Sequence, residues 1–461
     1  MSQFACSHFV SHCQLLMTQL SENVFSQLKK GEELSLNLEA EETFYIRFNQ
    51  SQIRQNTLVS QLHLRMELQA DEKKSSYTLT ISGNPEEFLK SDLLKVLDTL
   101  DLMRTEHLSL EKDPYLTPLK QGTTSFQYHE GNAQVRELIE SGELMKLLCE
   151  TSYPHLDMAG LWASGPQVLA SAHSKGSHHF FATDNFFLDY SLFAGEKAVK
   201  GSYAGREFKV QELAQHLKKS ADSLEALKRP VIPVPRGNYR AYLSPHAMSE
   251  IMGLLGWEAL SQGALQRGTS PFYKLSQAHS KLSSQITLKE NFNLGLHPQF
   301  NSLGELSASE IPLIKNGELQ QLLTSSRTAQ EFKLESNQAE LGENPRSLEM
   351  LGGELLEEDI LKKLGTGFYL SNLHYLNWSD RVNARITGMT RYACLWVENG
   401  VIQGPIKDMR FDVSLYDIWG EQLEELTQNR ELCPLVGTYS KRDLGGLLLP
   451  GLLVKEFKMT L

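Results

Sequence analysis

Apolar and polar positions divide the chain into helical and strand-like stretches whose character changes near residue 230. Between Phe4 and Leu28, the residues Val10, Cys13, Leu16, Met17, Leu20, Val24 and Leu28 recur every three or four positions, which predicts an amphipathic helix. Glu42 to Glu67 reads as strands, ETFYIRFNQSQIRQ and then LVSQLHLRMEL, each with a two-residue apolar period. Pro85 to Met103 predicts a second helix, with Glu86 and Glu87 in the first turn, where the helix dipole favours carboxylates. Asn132 to Glu150 predicts a third. Short strand-like runs return from Met158 to Gly205, broken by polar turns such as the one in AHSKGSHHFFATDNFF, and Arg206 to Leu227 is helical again.

The clearest boundary is KRPVIPVPRG, residues 228–237. Pro230, Pro233 and Pro235 cannot sit inside a helix or donate to a sheet ladder, so the segment predicts an extended connector. The expected architecture is α+β with two domains: a mixed α/β domain over 1–230 and a β-rich domain over 238–461. In the second, NYRAYL predicts a strand running into Ser244-Pro245, an N-cap followed by proline at the first helical position. Met248, Ile251, Met252 and Leu255 then share one helical face. Asn-Gly turns predict two hairpins, at Asn316-Gly317 and Asn399-Gly400. There is no solenoid repeat and no low-complexity tract.

Length and charge narrow the function. A chain of 461 residues suits two domains, and 41% hydrophobic with 22% charged residues excludes a disordered or disulfide-framework protein. The balance of 45 Lys+Arg against 56 Asp+Glu gives −11, so phosphate backbones and anionic lipid are repelled. Neither nucleic acid nor a membrane is an expected partner. Five dispersed cysteines (6, 13, 149, 394 and 433) suggest reduced thiols. The N-terminal stretch has no basic region and carries His8 and His12 where a signal peptide has an apolar core. Leu447 to Val454, interrupted by Pro450 and Gly451, is too short to span a bilayer. The expected location is the cytoplasm.

The stretch 365–411 contains Thr387-Gly388-Met389-Thr390, then Trp396-Val397-Glu398-Asn399-Gly400, then Gly404-Pro405-Ile406. It resembles the signature of the TldD/PmbA family, in which a T-G-D-F-S-like turn precedes a W-I-E-N-G strand and a G-P-V-like return. YRAYLSPHAMSEIMGLLG resembles that family's strand-then-helix entry into its second domain, and YIRFNQSQIRQ is similar to its opening strand pair. The resemblance spans most of the chain and is closer in the last 230 residues; Met389-Thr390, in place of Asp-Phe, marks a divergent member. It implies a metallopeptidase framework with two subunit types. The TldD type carries H-E-x-x-x-H on the first helix of the second domain, and a cysteine near the C-terminus completes a zinc site. The PmbA (TldE) type lacks these ligands and pairs with it, and the pair degrades unfolded peptide and trims leader peptides. Modulation of DNA gyrase is an older description of the same proteins.

With His246 at the first histidine position, the carboxylate position holds Ala247 and the second histidine position Ile251. The G-x-C-G-K segment matches residues 437–441 and places Tyr439 at the cysteine position. The chain therefore resembles the PmbA type, with no cofactor of its own. Its expected partners are peptide and either a TldD-like zinc-bearing subunit or a second copy. Two alternatives stay open, and with them whether the chain is an enzyme. One is an active metallopeptidase with zinc held by His246, Glu250 (four residues on along the same helical face) and Cys433. The other is a non-catalytic peptide-binding or regulatory homodimer.

Other candidates carry blander readings. Asp380 and Arg381, in a predicted loop before the Thr-Gly turn, are candidate peptide contacts or a surface ion pair. Cys394 alternates with Tyr392 and Trp396 on one strand face and reads as packing. His173, His178 and His179 form the densest histidine group, but neighbours on a strand point to opposite faces, which favours a polar turn over a metal site. His8 and His12 share a helical face. GALQRGTS (263–270) imitates a phosphate loop without its lysine, and no G-x-S-x-G elbow is present.

Overall fold

A long apolar stripe opens the chain as predicted: helix α1 (Gln3–Phe25) buries Val10, Cys13, Leu16, Leu20 and Val24. The computed structural model describes residues 3–84, 88–122, 124–130 and 157–460. The predicted helix over 132–150 and the Glu86-Glu87 turn lie outside these residues. The next helix, α2 (Leu93–His107), follows a π turn at Phe88–Asp92.

The strands after α1 are longer than the sequence pattern marked. Strand β1 (Glu33–Asn49) pairs along its length with β2 (Gln52–Ala70), and β2 pairs with β3 (Lys73–Ile81). The turn between β1 and β2 is Gln50-Ser51, both at positive φ (52° and 50°), so ETFYIRFNQSQIRQ is a hairpin rather than one strand. Such a turn usually announces itself with Asn-Gly, and here neither residue does. Further strands are β4 (Ser125–Glu130), β5 (Asp157–His173), β6 (His178–Ala194) and β7 (Lys197–Gly205). Among the described residues these form a seven-stranded sheet ordered β3-β2-β1-β5-β6-β4, with β7 also on β6. It is antiparallel except for β4 on β6. Helices α1 and α2 pack over Leu34, Leu36, Leu38, Leu64 and Met66. Farther along, Ile46, Phe48, Trp162 and Phe186 form a second cluster with helix α3 (Val210–Leu227), which also takes in Ala393 and Leu395 from the C-terminal half.

Residues 228–236 carry no regular element beyond an isolated bridge, Ile232 to Ile406. The second sheet then begins with β8 (Gly237–Leu243), followed by helix α4 (Pro245–Leu254). Its other strands are β9 (Leu288–Asn291), β10 (Glu310–Lys315), β11 (Glu318–Leu319), β12 (Leu348–Met350), β13 (Gly367–Asp380), β14 (Arg385–Glu398), β15 (Val401–Pro405), β16 (Arg410–Ser414), β17 (Leu423–Pro434) and β18 (Gly446–Met459). The two Asn-Gly turns join β10 to β11 and β14 to β15, with all four turn residues at positive φ. The sheet is mixed, since β13 runs parallel to β8 and β12 to β18. The pairings β8-β13-β14-β16-β18-β8 close a ring, which leaves those strands no free edge within it. Leu243, Met248, Ile251, Met252, Phe368, Phe411 and Leu452 fill its core. No helix among the described residues is long and apolar enough to cross a membrane.

Candidate functional site

The junction of β8 and α4 sets the site. Ser244 caps the helix, its Oγ accepting from Ala247 N at 3.2 Å, and Pro245 occupies the first position, where no N–H is needed. This fixes His246 in the first turn, facing the N-terminal half across a cavity of about 110 Å3. Strand β7 contributes Ser202, helix α3 contributes His216 and Lys219, and β17 contributes Glu431.

His246 is hydrogen-bonded through one ring nitrogen and faces a carboxylate with the other. Nε2 lies 2.8 Å from Ser202 Oγ, and Nδ1 lies 3.6 Å from Glu431 Oε2. Lys219 Nζ stands 3.5 Å from the other Glu431 oxygen and also pairs with Glu357. Burial by itself would raise the Glu431 pKa, but the adjoining His246, Lys219 and His216 outweigh it and hold the carboxyl below its ordinary value. Lys219 is correspondingly raised despite its burial, by Glu431 and Glu357. Burial lowers His216 in spite of Glu431, so that ring stays neutral at pH 7. Tyr242 and Tyr369, with ring centroids 5.1 Å apart, line the apolar side.

Zinc needs a convergent set of deprotonated ligands with an open position. Ala247 and Ile251 are wholly buried in the C-terminal core, where neither offers a donor. Cys433, the third ligand of the alternative zinc site, lies directly beneath His246: its Sγ is 3.5 Å from the Pro245 carbonyl oxygen. Burial first, and then the Glu431 charge, push the Cys433 thiol up, so it stays protonated. Glu250 sits on the exposed side of α4, while His246 turns away from it toward Ser202 and Glu431. Among the described residues no group of three His, Cys, Asp or Glu side chains is placed to hold a metal ion. The residues present do not fit a zinc centre.

The remaining sequence candidates fall elsewhere. Asp380 ends β13, and Arg381 lies in the tight hairpin turn to β14 rather than in an open loop; Arg381 pairs with Glu258, and Asp380 accepts from Asn383. Tyr439 is fully exposed. His173 and His179 are buried and grip the C-terminal half, His179 Nε2 lying 2.9 Å from Gly304 O, whereas His178 is exposed on the opposite face. The expected polar turn is present at residues 174–176 between β5 and β6, and beside it the buried His173 ring lies where a Cβ on Gly304 (φ +70°) would crowd it. The His8 and His12 rings stack at 6.2 Å. Cys394 packs beside Trp396 in the core, but Tyr392, at φ 60°, breaks the alternation. At the start of GALQRGTS the Glu343 carboxylate is bound, its Oε2 accepting from Gly263 N at 2.8 Å and from Ser261 Oγ at 2.5 Å.

Ser202, His216, Lys219 and Glu431 were not found from sequence. No spacing connects positions 202, 216, 219, 246 and 431, and only the docking of the two halves brings them together.

The sequence profile described as the PmbA/TldA metallopeptidase C-terminal domain matches residues 236–461. A comparison with curated protein sequences gives no match. Among solved structures, the chain is similar to TldE from Thermococcus kodakarensis, with TM-score 0.76 and 15% identity over 96% of this chain and 100% of that one. A Thermotoga maritima protein described as a candidate modulator of DNA gyrase gives 0.74 and 16%, over 96% and 100%. A Bacteroides thetaiotaomicron protein with the same description gives 0.68 and 14%, over 96% and 98%. At these identities the likeness is one of fold.

Proposed function

Since this chain belongs, through residues 236–461, to the PmbA/TldD metallopeptidase family, we propose that it acts as the non-zinc, TldE-like subunit that pairs with a zinc-bearing member and helps it handle peptide. The observation that carries this reading is the first helix of the second domain. His246 stands alone there, because Ala247 and Ile251, at the remaining motif positions, are core residues with no exposed surface. Restoring Glu and His would put polar groups into the apolar packing of α4, so the helix is built to pack and not to ligate. The open groove of the N-terminal sheet, lined by β1, β2, β5 and β6 and reaching Ser440 and Lys441, offers about 1060 Å3 for an extended peptide.

The test mixes the purified chain with a zinc-bearing TldD-type protein and measures mass by light scattering and peptidase activity on an unfolded peptide. A complex of both chains, more active than either alone, supports the reading. A chain that associates only with itself and leaves the other's activity unchanged sinks it. Stoichiometric zinc in this chain, lost in His246→Ala, would instead favour an active metallopeptidase.

A further inference from the structure

We propose that Ser202, His246 and Glu431 form a nucleophile–base–carboxylate triad, and that the cleft between the domains hydrolyses a neutral acyl compound, an ester or amide, by serine chemistry. This goes beyond the partner-subunit reading and does not rest on it. The three residues come from three elements, β7, α4 and β17, and meet in the order such a triad requires. Ser202 Oγ is 2.8 Å from His246 Nε2, and His246 Nδ1 is 3.6 Å from Glu431 Oε2. A serine hydroxyl donating to Nε2 leaves the ring hydrogen on Nδ1, toward Glu431, which is the tautomer a general base needs.

Glu431 suits the orienting role. Lys219 beside it keeps the carboxylate ionised, so Glu431 can stabilise an imidazolium as it forms without taking the proton. The cavity also holds an unspent donor, because Ser371 Oγ is buried there with no hydrogen-bond partner among the described residues. A buried hydroxyl left so is destabilising, and a bound carbonyl oxygen is the kind of group that would satisfy it.

The choice of substrate follows from the walls. Val199, Tyr242, Ile360 and Tyr369 supply apolar surface. The charged groups are already matched, Lys219 with Glu357 and Glu431, and Lys200 with Asp189. The inner cleft therefore asks for no charge on the acyl group. It continues into an open trough past Glu212, Lys218 and Arg430, through which a longer leaving group can extend.

The steps balance without a co-reactant other than water. Ser202 Oγ bonds to the acyl carbon while its proton passes to His246 Nε2. The tetrahedral intermediate collapses, the bond to the leaving nitrogen or oxygen breaks, and that atom takes the proton from Nε2. Water, deprotonated by Nε2, then attacks the Ser202 ester, releasing the carboxylic acid and restoring the hydroxyl.

The test treats the purified full-length chain with a fluorophosphonate–biotin reagent, which phosphonylates activated serines, and maps the adduct by peptide mass spectrometry. The expected adduct is on Ser202, absent in Ser202→Ala. Labelling slows at least about 100-fold in His246→Gln and about 10-fold or more in Glu431→Gln. In the native chain the rate rises with pH through one ionisation, and this dependence is lost in His246→Gln. Circular dichroism and the melting temperature check that each variant is folded. An adduct elsewhere, no adduct on the folded native chain, or a rate indifferent to His246 would overturn the proposal. The native-chain adduct stands as a readout even if the variants fail to fold.

Discussion

The Sγ of Cys433 lies 3.5 Å from the carbonyl oxygen of Pro245, so the thiol donates into the first turn of the helix that carries His246. The C-terminal strand β17 thereby supports the site from below, while two residues earlier on the same strand Glu431 addresses the His246 ring.

That contact makes Cys433 a packing group, and its reactivity should show it. Burial raises its thiol pKa, as it raises Cys394 to about 11 and Cys13 to about 12. In a variant with Cys6→Ser and Cys149→Ser, iodoacetamide at pH 8 should leave Cys13, Cys394 and Cys433 unmodified until denaturant is added. Rapid alkylation of Cys433 in the folded chain would mean that the thiol is open to solvent and available as a ligand.

Stability should fall on mild acidification, through the histidines that grip Gly304. Burial, reinforced by His179 and His178, lowers His173 to about 4, and burial also lowers His179. The unfolded chain takes up these protons near pH 6.5, whereas native His173 resists until about 4. The contribution is thus complete above pH 6.5 and is lost as the pH falls from 6.5 to 4. For His173 it amounts to at most about 3 kcal/mol. Urea midpoints at pH 7.5, 6 and 5 should drop progressively in the native chain and less steeply in His173→Asn. Equal slopes would show that His173 is protonated alike in both states.

Arg442 pins the loop that carries Tyr439 to the N-terminal sheet. It is 2% exposed, and its guanidinium donates to Gly165 O at 2.6 Å and Asn185 O at 3.2 Å. Arg442→Met keeps much of the stem but strands those buried carbonyls, so a loss of about 2–4 kcal/mol is expected. Limited trypsin digestion should then cut after Lys441. Unchanged stability and an intact loop would show that the inserted side chain is not what seats it.

Gly451 on β18 leaves room for Tyr242, which walls the cleft: a Cβ there would overlap the Tyr242 hydroxyl and crowd its ring. Gly451→Ala should cost about 1–3 kcal/mol. A double-mutant cycle with Tyr242→Ala should recover most of that loss. If the two effects simply add, the constraint lies in the backbone and not in the ring.

Much of the architecture can be read in one dimension because it depends on local chemistry. The 3.6-residue stripe of α1, the two Asn-Gly hairpins, and Ser244-Pro245 at the start of α4 each follow from the conformational preferences of a few neighbouring residues. Where local chemistry fell silent the reading slipped: Gln50-Ser51 takes positive φ with no glycine to signal it, held by the 17-residue strand β1 and its pairing with β2.

The sequence by itself determined the locally encoded elements, the family likeness over the C-terminal half, and the absence of Glu and His from the motif positions at Ala247 and Ile251. Tertiary structure alone decided what His246 touches. Ser202 lies 44 positions before it and Glu431 185 positions after it, on strands from different sheets. Periodicity reports which face a residue takes on its own element; which residue it meets across an interface depends on how two sheets and a helix pack, and no local spacing records that.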